Sequence, residues 1–193
     1  MQQTKFLLLL GPSGVGKSTI IWDLRAMDSR FVYISPFITR SLREEEMDKT
    51  PISDQEMDEL AAQGEFLVIN SFYGIRYATP RDAIERALNG GQFPLLDWPV
   101  SRMDVVQAAF PNRLFVAYVS PPSLEVLQNR LTKDGRDPQG QRYRAAEEEL
   151  SRYWQGEYDA FCNLKVVSHE DTAHEVAEHI YQCYRADMVQ DVP

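Results

Sequence analysis

Cysteine and long apolar stretches are both scarce in this sequence. Its 193 residues include two cysteines and no C-x-x-C pair, so we expect reduced thiols, as in the cytoplasm, and no disulfide framework. No run reaches eighteen apolar residues, and we therefore expect no membrane partner. The first five residues lead directly into a short apolar run, and we expect no signal peptide there.

Positive charge is also in short supply. Twenty lysine and arginine residues stand against 29 aspartate and glutamate residues, which gives a net charge of −9. Proteins that bind duplex nucleic acid present a broad basic surface, and this composition does not supply one. The three histidines lie five residues apart, a spacing that does not place them on one helix face, so we expect no metal site there.

Short apolar segments alternate with segments of helical periodicity along most of the chain. This alternation predicts an α/β fold with a parallel sheet flanked by helices. The predicted strands are residues 6–10, 31–34, 93–96, 114–119 and 164–167. The predicted helices are residues 17–27, 80–89, 100–109, 123–133, 139–154 and 171–185, followed by a frayed tail. We expect the core to include Trp22, Trp98 and Trp154.

The interval from residue 35 to 79 breaks this alternation. It is polar and charged, and it contains a helix that begins at Ser53, where Ser53 and Glu56 fit a capping box. Two short strands, residues 65–69 and 73–77, follow around a turn. We interpret the interval as an insert beyond the carboxyl end of the second strand, the edge at which parallel sheets bind ligands.

The first apolar run stops at a glycine-rich stretch. Residues 11–18 read G-x-x-x-x-G-K-S, the P-loop pattern. Glycines let the backbone wrap closely around phosphate oxygens with its N–H groups turned inward, Lys17 places a charge on the phosphates, and the Ser18 hydroxyl can bind Mg²⁺. The pattern predicts ATP and Mg²⁺ as cofactors. The expected contacts are Gly11, Ser13, Gly14, Val15, Gly16, Lys17, Ser18 and Thr19.

Two groups of arginines lie where a kinase needs them. A phosphotransferase must hold a second anionic substrate and keep water from the transferring phosphoryl group. Arg40 and Arg43 are three residues apart in the insert, and two guanidinium forks suit a phosphate monoester. We interpret the polar stretch KDGRDPQGQRYR as part of a mobile lid over about residues 133–145. Its arginines are Arg136, Arg142 and Arg144.

Three further polar side chains are candidates for the same site. Tyr77 and Thr79 add hydroxyls near the end of the insert. Asp97 follows the apolar run 93–96, and a carboxylate at the end of such a strand can hold Mg²⁺ through water or orient the acceptor. We therefore predict a magnesium site at Ser18 and Asp97.

Five segments resemble guanylate kinases in sequence, order and spacing. They read GPSGVGKST, ITRSLR, AAQGEFL, YATPRDAIERALNGGQFPLLD and SPPSLEVLQNRL, and the resemblance spans about residues 4–183. It implies a nucleoside monophosphate kinase fold, with a P-loop core of residues 1–34 and 80–193 that carries the lid. Residues 35–79 would be the inserted, acceptor-binding subdomain. By position, Arg40, Arg43 and Tyr77 would hold the acceptor phosphate. The implied catalytic residues are Lys17, Arg40, Arg136 and Arg142.

The base-reading end of the site departs from that family. Guanylate kinases read guanine with a serine, a glutamate and an aspartate, where this sequence has Pro36, Val68 and Pro99. None of these side chains can accept a hydrogen bond from guanine, whereas Thr79 and Asp97 match the family. We expect Pro36, Val68, Thr79 and Asp97, but not Pro99, to contact the acceptor. We expect this acceptor to be a nucleoside monophosphate or a similar phosphate monoester.

Three alternatives stay open. The segment FITR and the pair Ser101-Arg102 also resemble ribose 1,5-bisphosphate phosphokinase, a sugar-phosphate kinase. Some guanylate-kinase-like domains are non-catalytic binding modules, but their P-loops are typically damaged and this one is intact. A P-loop nucleotidase without an acceptor is the third alternative. For the favoured interpretation, a phosphotransferase, the expected partner is a small phosphate acceptor, and the chain is expected to be a monomer or a homodimer.

Overall fold

Nine strands form two sheets in the computed structural model, which describes residues 4–42, 48–135 and 137–190. The larger sheet is parallel throughout and confirms the predicted α/β class. Its spatial order is β2 (Phe31–Tyr33), β7 (Phe93–Asp97), β1 (Phe6–Leu10), β8 (Leu114–Ser120) and β9 (Leu164–Val167). The accompanying helices are α1 (Lys17–Met27), α3 (Arg81–Asn89), α4 (Met103–Ala109), α5 (Leu124–Asp134), α6 (Gln141–Trp154) and α7 (Ala173–Gln190).

Strand β1 lies at the centre of the larger sheet. All five of its residues are fully buried, because helices cover both faces of a parallel sheet and leave no polar side. Its neighbours are β7 and β8, so the chain that leaves β1 at Gly11 emerges in the middle of the carboxyl edge. A short 3₁₀ turn, Val100–Arg102, follows β7 at the same edge.

The smaller sheet comes from the interval predicted to be an insert. Its order is β4 (Thr50–Pro51), β3 (Phe37–Ile38), β6 (Ile75–Pro80) and β5 (Phe66–Phe72), accompanied by α2 (Asp54–Ala62). The β5–β6 hairpin turns at Tyr73 and Gly74, whose φ angles of 53° and 75° suit a two-residue turn between antiparallel strands. The capping box of Ser53 and Glu56 is present. The acceptor-binding role of this interval stays a prediction.

Several predicted boundaries are wrong. Helix α3 begins at Arg81 and not at Pro80, because Thr79 is still paired with Val68 in the β5–β6 ladder. Helix α6 begins two residues later than predicted, after Gly140 in a left-handed conformation. The predicted frayed tail is helical to Gln190: Lys5 forms an ion pair with Asp187.

Two of the three tryptophans lie outside the core. Trp98 is 3% exposed, as predicted, but Trp22 and Trp154 are 52% and 54% exposed. Trp22 lies on the outer face of α1, and the Arg25 guanidinium stacks 4.9 Å from the centre of its ring. A large aromatic residue in a helical pattern therefore does not identify the buried face by itself.

Asp28 joins the end of α1 to α7. Its carboxylate accepts hydrogen bonds from the Arg30 side chain at 2.6 and 2.9 Å and from the Tyr181 hydroxyl at 3.0 Å. The hydrogen bond from Arg30 is the largest cause that lowers the pKa of Asp28 to about 2. Burial opposes the shift.

This lowered pKa predicts an acid-dependent loss of stability. The contribution, about 2 kcal/mol, is complete above the ordinary pKa of an aspartate and disappears as the pH falls toward 2. In urea denaturation between pH 2 and 5, Asp28→Asn should therefore show a shallower loss of unfolding free energy than the unaltered chain. Asp82→Asn, at an exposed position of α3, is the control and should not flatten the curve. Equal slopes for the two variants would contradict the prediction.

Candidate nucleotide and acceptor site

The loop between β1 and α1 takes a conformation that requires glycine. Gly11, Gly14 and Gly16 have φ angles of 127°, 90° and 96°, a region that side chains disfavour. A Cβ atom on Gly11 would lie 2.1 Å from the backbone oxygen of Val119 at the end of β8. The loop is thus pressed against the neighbouring strand, and its N–H groups lead into the start of α1, where a helix favours anions.

Lys17 folds back over this loop. Its Nζ donates hydrogen bonds to the backbone oxygens of Gly11 at 2.5 Å and Pro12 at 2.9 Å. Burial lowers the pKa of the Lys17 ammonium, and the negative charges of Asp97 and Glu149 oppose that shift. The ammonium is thus held at the mouth of the loop.

The remaining predicted nucleotide contacts are spread around the same loop. Val15 is fully buried and supports the loop from the core side, whereas Ser18 and Thr19 are exposed on the first turn of α1. Asp97 ends β7 beside Leu9 and accepts a hydrogen bond of 3.4 Å from the Tyr33 hydroxyl. Lys17 and Asp97 thus both lie at the carboxyl edge of the sheet, where the negative charge of Asp97 opposes the lowering of the Lys17 pKa.

The predicted lid reaches the P-loop through one arginine. The Arg142 Nη1 donates a hydrogen bond of 2.9 Å to the Ser13 hydroxyl, and its guanidinium lies 5.2 Å from the ring centre of Tyr73 at the hairpin tip. Arg144 instead donates to the backbone oxygen of Gln139 at 2.9 Å. Arg136 lies outside the described residues.

Asp137 fixes the first turn of α6. Its two carboxylate oxygens accept from the backbone N–H groups of Arg142 and Tyr143, each at 2.9 Å. Burial would raise the pKa of Asp137, but these hydrogen bonds outweigh it and the pKa is lowered. A charged aspartate thus anchors the helix that presents Arg142.

A partly buried carboxylate that the sequence analysis missed interacts electrostatically with Lys17. Glu149 lies on α6 and accepts a hydrogen bond of 3.0 Å from the hydroxyl of Tyr118, a fully buried residue of β8. Burial raises the pKa of Glu149, and Lys17 is the first of the groups that oppose this shift. A glutamate within an acidic helix gives no signal of this in sequence, because only the fold brings it near the loop.

Three of the predicted acceptor residues, Val68, Tyr77 and Thr79, share one face of the smaller sheet. The paired residues Val68 and Thr79, followed by Asn70 and Tyr77, project from the same side because directly opposed residues of an antiparallel ladder do so. Pro36 is buried immediately before β3, whose Ile38 pairs with Tyr77.

Positive charge lies at one end of this face. The Lys49 Nζ is 6.0 Å from the ring centre of Tyr77. Arg40 follows β3 and donates a hydrogen bond of 2.8 Å from Nη1 to the backbone oxygen of Ser41. Arg43 lies outside the described residues.

The comparisons with known proteins agree on the family. A family model described as guanylate kinase matches residues 3–183. The guanylate kinase of Gluconobacter oxydans is 36% identical over 187 residues, which cover 93% of this chain and 86% of that protein. The chain belongs to the guanylate kinase family. The guanylate kinase of Streptomyces coelicolor is another similar member, 35% identical over 178 residues that cover 89% of this chain and 88% of that one.

Solved structures agree on the fold of this guanylate kinase family member. Guanylate kinase from Anaplasma phagocytophilum has a TM-score of 0.73 at 21% identity, over 97% of this chain and 88% of that chain. Shikimate kinase from Acinetobacter baumannii has a TM-score of 0.53 at 16% identity, over 100% and 97% of the two chains. The fold is that of the P-loop kinases, and with the similar guanylate kinases above, it makes the chain a kinase.

Two kinds of feature are absent from residues 4–42, 48–135 and 137–190 of this guanylate kinase family member. No group of three or more histidine, cysteine, aspartate or glutamate side chains there is arranged to hold a metal ion. No helix in these ranges combines the length and apolar character needed to cross a membrane.

The close approach at Gly11 predicts a sharp difference between two glycines. Gly11→Ala would force a methyl group against the Val119 oxygen, whereas Gly64, which also has a positive φ of 79°, has no atom within 4 Å of an added Cβ. Gly64→Ala should cost about 1–2 kcal/mol of stability from backbone strain alone. Gly11→Ala should differ from Gly64→Ala by weakening ATP binding as well, by about tenfold or more, because the added methyl group displaces the P-loop. Calorimetric titration with ATP checks this, and equal affinities of the two variants would contradict it.

Proposed function

We propose that this protein transfers the γ-phosphoryl group of ATP to a small phosphate monoester. The observation that carries the proposal is the meeting of three parts at the loop: the glycine cradle, the Lys17 ammonium and the lid residue Arg142. Phosphoryl transfer needs little covalent chemistry from a protein, and positioning with charge neutralisation supplies most of the rate.

The nucleotide end follows from the fit of the loop to a phosphate. The cradle of Gly11, Gly14 and Gly16 leaves room for phosphate oxygens where side chains would intrude. Lys17 would exchange its two loop carbonyls for phosphate oxygens, and Arg142 would move from Ser13 to the transferring group. Mg²⁺, when bound, would neutralise charge on the phosphates, and Ser18 and Asp97 are the residues that would hold it.

The acceptor end would bind a phosphate group, but its side chains would not recognise guanine. Arg40 and Arg43 from the insert, with Tyr77 and Thr79 on the sheet face, would bind the acceptor phosphate. Val68 adds apolar surface to this face, Pro36 is buried before β3, and Pro99 begins the 3₁₀ turn after β7. A guanine edge placed here would leave its N–H donors without side-chain acceptors, which costs a large factor in discrimination. This favours an acceptor with another base, or a sugar phosphate. A sugar-phosphate kinase is therefore the second candidate function.

Coupled release of ADP from Mg-ATP tests the proposal across a set of acceptors. The set is GMP, dGMP, AMP, CMP, UMP, dTMP and ribose 1,5-bisphosphate. Lys17→Ala should reduce transfer by about 10³-fold or more, because it removes a preorganised charge from the transition state. Arg40→Gln should raise the acceptor KM by about tenfold to hundredfold, the range for a lost hydrogen bond to a charged group.

Two results separate this proposal from its alternatives. Arg86→Gln removes an exposed arginine of α3 that pairs with Asp82, and it should leave transfer unchanged. Hydrolysis of ATP that is indifferent to Arg40→Gln and to every acceptor would indicate a nucleotidase. Rapid turnover of GMP alone would show that guanine is read by groups other than the side chains at positions 36, 68 and 99.

A further inference from the structure

An arginine outside the predicted site spans the gap between the two sheets. Arg102 ends the 3₁₀ turn after β7, and its Nε donates a hydrogen bond of 3.0 Å to Oδ1 of Asn70 on β5. Its backbone oxygen accepts a hydrogen bond of 3.0 Å from Nε1 of the buried Trp98. The main chain of Arg102 is thus held by Trp98, and one hydrogen bond directs its exposed side chain toward β5.

The anchor, Asn70, belongs to the predicted acceptor face. It pairs with Tyr77, and the next pair on the same side is Val68 with Thr79. Asn70 is only 6% exposed, so the surrounding residues hold its side-chain amide in this position. The hydrogen bond between Nε and Oδ1 consequently holds the guanidinium of Arg102 against the acceptor face, beside Tyr77 and close to the base-reading position 68.

The charge of Arg102 is not compensated by its anchor. Asn70 is neutral, and among the described residues no carboxylate lies within 4 Å of the Arg102 guanidinium. Only Nε is used, so the two Nη groups have no hydrogen-bond partner in the described part of the chain. Pro36, Val68 and Pro99 offer no side-chain acceptor nearby. This end of the site thus supplies donors and positive charge, which suits an oxyanion and not the donor edge of guanine.

Resting on the proposed phosphotransferase activity, we infer that Arg102, positioned by Asn70, binds a second anionic group of the acceptor. That group, a phosphate or a carboxylate, lies on the β5 side of the acceptor face, across β6 from Arg40, which follows β3. The preferred substrate class is therefore a phosphate monoester that carries a further oxyanion. Arg102 acts as a specificity-determining residue, and Asn70 as its positioning residue.

Direct binding, without ATP, tests the inference on pairs of acceptors that differ by one anionic group. The pairs are ribose 1,5-bisphosphate against ribose 5-phosphate, adenosine 3′,5′-bisphosphate against AMP, and orotidine 5′-phosphate against UMP. In at least one pair, calorimetry should show that the more charged member binds tighter by about tenfold to hundredfold, as expected for hydrogen bonds to a charged group. Arg102→Gln should abolish this preference, Arg102→Lys should restore part of it, and Arg86→Gln should leave it intact.

Substitutions of Asn70 distinguish anion binding by Arg102 from a purely structural hydrogen bond that connects the two sheets. Asn70→Asp keeps an acceptor for Nε, and so preserves the tie, but it neutralises the guanidinium. Recognition of an anion predicts that Asn70→Asp loses the preference as Arg102→Gln does, whereas a structural tie predicts that it keeps the preference. The inference is overturned if no pair shows a preference, or if the preference survives Arg102→Gln or Asn70→Asp. Failure of the proposed function is a separate result: ATP binding that is insensitive to Lys17→Ala, with no transfer to any acceptor.

Discussion

The P-loop can leave the central strand only because Gly11 has no side chain. At this point the backbone turns against the carbonyl of Val119, and an added Cβ would lie 2.1 Å from that oxygen. Strand β1 is fully buried between β7 and β8, so the loop cannot shift sideways to relieve such a contact. The Lys17 ammonium donates a hydrogen bond to the backbone oxygen of Gly11 itself, so its position depends on this close approach.

Structural features that depend only on neighbouring residues were predicted correctly from the sequence. The apolar run of β1, the glycines of the loop and the capping box at Ser53 each act within a few residues, and each is found where it was predicted. Strand β4 has only two residues, too few for a pattern. Helix α7 extends to Gln190, past the predicted end, and there Asp187 meets Lys5 across 182 positions of sequence. Sequence alone carries no information on such a pairing.

The same limit explains which parts of the site were missed. Asn70 gives no signal in the sequence, and Arg102 stood out there only as part of a resemblance to a sugar-phosphate kinase. Their contact exists only because the two sheets bring Nε to 3.0 Å from Oδ1. The three apolar replacements at the base-reading positions were visible in sequence, because they differ in kind from hydrogen-bonding residues. What stands in their place became visible only with the fold, since a donor-rich end is a property of several segments together.

Arg142 contacts both the P-loop and the tip of the β5–β6 hairpin in the smaller sheet. It donates to Ser13 in the P-loop, and its guanidinium lies over the ring of Tyr73 at the tip of the β5–β6 hairpin. A ligand that draws this arginine toward the phosphates therefore also changes what holds the hairpin. Binding linkage is reciprocal: if nucleotide changes the affinity for acceptor by some factor through this arginine, acceptor must change the affinity for nucleotide by the same factor. In the proposed phosphotransferase, this one side chain would couple the two binding affinities in addition to the direct contact between the substrates.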